Sequence, residues 1–169
     1  MTGELCLILI VSLIVITAGI AFVLSIFSDR IEKERLLLQK ADFKDFAGFS
    51  VSDYPKEDFL RLDRIYLLGR KIAQMEFFVQ PGWTAVLRVA IKENDLKLWE
   101  LGTIDYDQLT VRKVDGIRTE LRQEQNGAAM IRWERDGFTY ALYLPHTEMG
   151  LAGSLMERFV TVCRCTSYK

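Results

Sequence analysis

The sequence predicts an α+β protein in which a curved antiparallel sheet of about six or seven strands packs on a C-terminal helix, preceded by one N-terminal transmembrane helix. Three observations predict this architecture. An uncharged apolar run occupies Leu5–Phe27, short β-branched runs separated by turn dipeptides follow, and an amphipathic stretch closes the chain. We therefore divide the chain into an anchor at residues 1–28, a helical neck and loop at 29–57, and a sheet-plus-helix domain at 58–165.

The apolar run is long enough to cross a lipid bilayer. It holds 23 residues without a charged side chain, and a helix of that length extends about 34 Å at about 1.5 Å per residue. A cleaved signal peptide has a shorter apolar stretch and a basic leader, whereas Met1 to Glu4 contain no lysine or arginine. The run therefore predicts a retained, single-pass anchor in the cell membrane.

Charges beside the anchor favour one orientation. Lysine and arginine next to a membrane span are retained on the cytoplasmic side. None precedes the run, whereas Arg30, Lys33, Arg35 and Lys40 follow it. This count alone predicts a cytoplasmic domain.

Small side chains form a stripe along the predicted membrane helix. Thr17, Ala21 and Ser25 lie four residues apart, so they share one helix face, on which a second membrane helix can dock closely. Small residues are common in any membrane span, so an ordinary lipid-facing helix is the alternative interpretation.

A second helix is predicted after the anchor. Asp29 and Glu32 have the spacing of a capping box, which predicts a helix from about Arg30 to Phe46. Gly48 is expected to end it, and Ser50–Pro55 is interpreted as a loop leading into the sheet.

Seven apolar or β-branched runs then predict antiparallel strands. Turns are expected at Gly69-Arg70, Pro81-Gly82, Asp115-Gly116, Asn126-Gly127 and Asp136-Gly137. Asp-Gly and Asn-Gly adopt the positive φ angles that tight hairpins require. The predicted strands are Phe59–Leu68, Ile72–Gln80, Thr84–Ile91, Leu109–Val114, Ile117–Gln123, Ala128–Trp133 and Phe138–Leu144. Apolar residues at helical spacing over Met149–Cys163 predict a closing helix that packs on the sheet.

Composition and motifs argue against several classes of function. Lysine and arginine total 22 against 23 for aspartate and glutamate, so no basic field attracts nucleic acid. Glycine-rich phosphate loops are missing, which argues against nucleotide binding. Cys163 and Cys165 lack the spacing of a metal or redox pair, so we expect Cys163 to be a core thiol and Cys165 an exposed or fraying thiol. His146 is interpreted as a loop residue. No cofactor, metal site or catalytic residue is predicted.

Several short motifs follow one another in a characteristic order. They are Ala47-Gly48-Phe49, Ile72–Phe78, Leu87–Ala90 with Asn94-Asp95, Val114–Gly116, Ile131–Trp133 and Asp136–Ala141. In this order the chain resembles an uncharacterised domain of membrane-anchored proteins from Gram-positive bacteria, over roughly Asp42 to Cys163. That family is more distantly similar to the curved sheets of lipoprotein carriers and envelope-stress regulators. The resemblance implies an extracytoplasmic domain, opposite to the charge count, and implies no catalytic residues.

Aromatic side chains are the candidate ligand-binding groups. Trp83, Trp99, Trp133, Tyr140 and Tyr143 could line a concave sheet face that binds an apolar ligand or a peptide. The alternative is that they belong to the core, with Trp133 and Tyr140 as a cross-strand packing pair.

The sequence thus favours a membrane-anchored, non-catalytic binding or regulatory domain. Its expected partners are the lipid bilayer and a membrane or envelope protein, without nucleic acid or nucleotide. The alternative is an accessory subunit of a membrane complex that docks through Thr17, Ala21 and Ser25; an enzymatic role is the weakest of the three hypotheses.

Overall fold

A computed structural model describes residues 35–38, 40–80, 82–101, 108–124, 127–146 and 149–168. Leu37–Lys169 form one compact unit. The predicted anchor at Leu5–Phe27 lies outside the described residues, as does its Thr17, Ala21 and Ser25 stripe. Among the described residues, no helix has the length and apolar character needed to cross a membrane.

The main sheet has eight strands: β1 (Arg35–Leu38), β4 (Leu60–Leu68), β5 (Ile72–Val79), β6 (Trp83–Ile91), β7 (Gln108–Val114), β8 (Ile117–Gln123), β9 (Ala129–Arg135) and β10 (Phe138–Leu144). Their spatial order is β1-β4-β5-β6-β10-β9-β8-β7. Every neighbouring pair in this order from β4 onward is antiparallel. The seven predicted strands are all present, and β1 is an eighth.

Turn chemistry explains why the hairpins form where the sequence predicts them. At the β7–β8 turn, Asp115 and Gly116 have φ angles of 51° and 78°. At the β9–β10 turn, Asp136 and Gly137 have φ angles of 51° and 80°. Two consecutive residues with positive φ match the right-handed twist of a hairpin. The antiparallel sheet and the α+β class are therefore confirmed.

Strands occupy most of the described part of the predicted neck helix: Arg35–Leu38 form β1 of the main sheet, and Asp42–Phe43 belong to a second, three-stranded sheet. The second sheet has the order β11-β3-β2, where β2 is Asp42–Phe43, β3 is Phe49–Asp53 and β11 is Arg164–Ser167. Only α1 (Lys44–Ala47) is helical between β2 and β3.

The predicted helix to Phe46 is therefore wrong for Arg35–Leu38 and Asp42–Phe43, whereas Lys44–Phe46 are helical, and the predicted loop at Ser50–Pro55 is largely strand. Phe43 and Phe49 are fully buried, and β3 pairs with β11 from the end of the chain. Within the predicted helix, β1 pairs with β4 and β2 with β3, and pairing with these later segments overrides the local helix signal. The prediction that Gly48 ends a helix is confirmed, since it follows α1 with φ 75°.

The main core lies on one side of the main sheet. Helix α2 (Met149–Val162) contributes the buried residues Ala152, Leu155, Met156, Phe159 and Val160. Phe159 packs edge-on against Phe77 of β5, with ring centroids 5.3 Å apart. Phe49 of the small sheet packs against Phe138 of β10 at the same centroid distance. We call this side of the main sheet the covered face, and the opposite side the outer face.

The cysteines after α2 differ in their surroundings. Cys163 is fully buried, which confirms it as a core residue. Cys165 was expected to be exposed or fraying, but it is half-buried in β11, which pairs with β3. Burial raises the pKa of the Cys165 thiol to about 12, with a smaller opposing effect of the Tyr140 hydroxyl. Its thiolate form is therefore scarce near neutral pH.

Candidate binding site on the outer face

Strand alternation places a set of polar and charged side chains on the outer face. Glu120 of β8 lies directly opposite Arg132 of β9, and Thr139 of β10 lies opposite Glu134. Residues between them, such as Trp133, point to the covered face because successive side chains in a strand alternate. Three adjacent strands therefore present their polar residues together.

These strands form a shallow cavity of about 460 Å³. This volume lies within the range of small-molecule sites in proteins, roughly 300 to 1,000 Å³. Among the described residues, the cavity lining comprises Arg118, Glu120, Arg132, Trp133, Glu134 and Thr139. Since the ring of Trp133 is buried in the core, the lining that a ligand meets is polar.

Some of the charged side chains in the cavity form ion pairs and one does not, within the described residues. Arg118 Nη2 lies 3.3 Å from Glu120 Oε1, and Lys92 Nζ lies 2.7 Å from Glu134 Oε2. The Arg132 side chain has no ion pair or hydrogen bond within the part of the chain that the structure describes. Both carboxylates are thus paired, and one guanidinium is left to meet an incoming anion.

A buried arginine organises the outer face beside this cavity. Ala141 separates Arg132 of β9 from Arg88 of β6 in the same cross-strand row. The fully buried Arg88 side chain donates hydrogen bonds to Gln74 Oε1 at 2.9 Å, to the Leu96 carbonyl at 3.0 Å and to the Lys97 carbonyl at 2.5 Å. Arg88 thereby ties the 96–101 segment to the sheet.

That segment covers the neighbouring part of the outer face. Leu96 packs in a small apolar cluster with Leu68, Ile72, Ala90, Met130 and Ala141. One part of the outer face is therefore covered by the chain, whereas the cavity described above lies over β8 and β9.

The predicted aromatic residues do not form one cleft. Trp133 and Tyr140 are directly opposite on β9 and β10, with parallel rings 5.0 Å apart. Trp133 is 2% exposed and Tyr140 fully buried, which confirms the packing pair and leaves neither ring open to a surface ligand. Burial also raises the pKa of Tyr140 well above its ordinary value.

The other three aromatics lie apart from that pair. Trp83 is half-buried against the main core, on the covered face. Tyr143 is half-buried in the small cluster of the outer face. Trp99 belongs to the short 3₁₀ helix Leu98–Leu101, and its side chain lies outside the described residues.

The polar residues that line the cavity are not among the site residues predicted from the sequence. A signal was present, because Arg118 and Glu120, like Arg132 and Glu134, alternate with core residues along two strands. Alternation places charges on one face, but it does not reveal that the face is concave or which charges remain unpaired. No group of three or more potential metal ligands occurs among the described residues.

Comparisons with protein-family models, with curated proteins and with solved structures found no match for this chain.

Proposed function

We propose that the protein is a membrane-anchored, non-catalytic domain that binds an anionic group of a polar ligand in the outer-face cavity. The observation that carries this proposal is the Arg132 side chain, which lines the cavity without an ion-pair partner within the described residues. The planar guanidinium suits carboxylate and phosphate groups because it can donate two parallel hydrogen bonds to them.

The surroundings of Arg132 support binding of an anion. Arg132 lies on β9, which is hydrogen-bonded to β8 on one side and β10 on the other, so its backbone is held in place. Thr139 supplies a hydroxyl in the cavity lining, and Glu134 is neutralised by Lys92. A carboxylate or phosphate could therefore approach without meeting an unpaired carboxylate.

The membrane anchor is the second part of the proposal. Its support is the uncharged run Leu5–Phe27, which would restrict the domain to ligands near a bilayer. The resemblance to membrane-anchored domains of Gram-positive bacteria favours an extracytoplasmic position, whereas the charges after the run favour the cytoplasm. The alternative function is an accessory subunit; in that case Ala21→Leu, and not a cavity change, abolishes co-purification of a membrane partner.

The test is anion binding by the full chain in detergent micelles. Inorganic phosphate and succinate are titrated separately, and backbone amide shifts of β9 and β10 report binding. We expect Arg132→Gln to weaken binding about tenfold or more, since hydrogen bonds to charged groups contribute about 1.5 to 3 kcal/mol. Comparing the two anions distinguishes a phosphate site from a carboxylate site.

Arg158→Gln is the matched control. Arg158 is an exposed arginine of α2, paired with Glu57 at 3.1 Å and absent from the cavity lining. This variant is expected to bind both anions like the unchanged chain. Equal binding by Arg132→Gln and Arg158→Gln would remove the support for the proposed site.

A further inference from the structure

Strand β7 forms one edge of the main sheet. It pairs with β8 along its whole length, from Gln108 to Val114, without a register shift. Its other side has no strand partner among the described residues. Such an edge presents unpaired backbone N–H and C=O groups, onto which a further strand can add. The β7 sequence contains no proline that would interrupt this pairing.

Two apolar side chains are exposed on this edge. Leu109 is 60% exposed and Val111 is 47% exposed. They lie opposite Arg122 and Glu120 of β8, so both point to the outer face. Natural edge strands usually avoid exposed apolar residues because they promote pairing with other chains. Leu109 and Val111 are therefore suited to contact a bound strand.

Strand β7 is held in place by a side chain that points to the covered side of the sheet. Arg112 points to the covered side, where its Nη2 lies 3.3 Å from Glu157 Oε1 and 3.4 Å from the Gly153 carbonyl oxygen. Both partners belong to α2. Because β7 is tied to the helix and to β8, a bound strand would meet an ordered template and lose less entropy on binding.

Positive side chains at this edge favour an acidic partner strand. Lys113 follows Val111 on the same face, and Arg122 lies opposite Leu109. Neither side chain has an ion pair or hydrogen bond within the described residues. Pairing with a second copy of β7 would add more cations to this surface, which is unfavourable. An acidic strand would complement both cations.

We propose that β7 binds an extended acidic segment of a partner protein, which adds a ninth strand to the main sheet. The segment would place apolar residues opposite Leu109 and Val111 and a carboxylate opposite Lys113. Cross-strand neighbours lie about 4.5 to 5.5 Å apart, close enough for both kinds of contact. This site goes beyond the anion cavity, since no residue of β7 is among its described lining residues.

The test uses the full chain in detergent micelles and a fluorescent peptide, Glu-Thr-Val-Thr-Val-Thr-Glu. The peptide reads the same in both directions, so it presupposes neither parallel nor antiparallel pairing. We expect it to bind, and expect a version with proline in place of the central threonine and of the valine after it to bind at least about tenfold more weakly. Adjacent N–H groups in a strand point to opposite sides, so one of the two removed donors faces β7 in either direction. Fluorescence polarisation measures both affinities.

A charge reversal tests the role of Lys113. Lys113→Glu is expected to weaken the glutamate-flanked peptide about tenfold and to strengthen a lysine-flanked version, because the cross-strand charge pair is reversed. Val111→Lys is expected to weaken the glutamate-flanked peptide through loss of the apolar contact. Lys71→Glu is the matched control, since Lys71 is exposed in the β4–β5 turn, and it should leave both affinities unchanged.

Three outcomes would overturn the proposal. The first is that the unchanged chain, folded as judged by its urea unfolding transition, does not bind the glutamate-flanked peptide. The second is equal binding by the unchanged chain and Lys113→Glu. The third is a dimer in light scattering that Val111→Lys dissociates, which would assign the edge to a second copy. Anion binding in the cavity is measured separately, so either proposal can fail alone.

Discussion

Arg88 shows how one polar side chain can organise a sheet face. It is the largest fully buried side chain among the described residues, although arginine is rarely buried. Its hydrogen bonds reach Gln74 and the carbonyls of Leu96 and Lys97. Gln74 in turn donates to Glu76 Oε1 at 2.8 Å. This network connects β5, β6 and the 96–101 segment.

Replacement of Arg88 should be costly because its partners stay buried. Arg88→Met keeps an apolar stem of similar length but leaves the three acceptors without their donor. We expect a loss of about 2 to 4 kcal/mol in the free energy of unfolding, measured by urea denaturation. Faster proteolysis within residues 96–101 should accompany it, since that segment loses its tie to the sheet.

Arg122→Met is the control for Arg88→Met. Arg122 is exposed, and its side chain makes no contact of this kind within the described residues. Its replacement should change the free energy of unfolding by no more than about 0.5 kcal/mol. If both variants unfold alike, the Arg88 network contributes nothing to stability.

Among the elements, the last strand links the C-terminal part of the chain to a segment near the start of the described residues. After α2, β11 pairs antiparallel with β3, and the Tyr168 amide donates to the Gly48 carbonyl at 2.8 Å. The Ser50 and Tyr168 hydroxyls lie 3.2 Å apart. Thus β11 completes the three-stranded sheet, in which β3 occupies most of the predicted loop at Ser50–Pro55.

Removal of β11 should therefore loosen the small sheet. Deleting residues 164–169 leaves β3 paired with the two-residue β2 alone, and we expect a loss of at least about 2 kcal/mol in stability. Hydrogen exchange should show lower protection for amides of Phe49–Asp53. The β4–β5 hairpin serves as the internal control, because it pairs within the main sheet. Unchanged protection of β3 would show that β11 is dispensable.

For the whole molecule, the two faces of the main sheet have different surroundings. The covered face carries the main core beneath α2 and the small sheet, and supplies most of the buried apolar area. The outer face combines a small apolar cluster with an open, charged cavity. A rigid sheet can therefore hold a binding surface on one side while the other side maintains the fold.

The proposed anchor makes a prediction for the whole chain. Because Leu37–Lys169 form a compact unit, a chain beginning at Arg35 should remain folded and move from the membrane fraction to the aqueous fraction. Cell fractionation and circular dichroism check the two parts of this expectation. Recovery of the full chain in the aqueous fraction without detergent would contradict a membrane anchor.

Local chemistry made much of the main sheet predictable. The Asp115-Gly116 and Asp136-Gly137 turns follow from the φ preferences of these residues. The packing of Trp133 on Tyr140 follows from their equal distance from the second of these turns, which places them opposite each other. Such features depend on residues close in sequence, so pattern and turn type are sufficient to predict them.

Tertiary structure alone decided the features that link distant parts of the chain. β3 becomes a strand because β11 lies beside it, and Arg88 can be buried because backbone carbonyls of the 96–101 segment accept its hydrogen bonds. The cavity is lined where three strands align their polar side chains, and Arg132 is left without an ion pair within the described residues. The hairpins and the α+β class follow from local sequence, since these depend on backbone preferences and on alternation between neighbours. Pairing of distant segments depends on which surfaces meet after folding, and no local pattern contains that information.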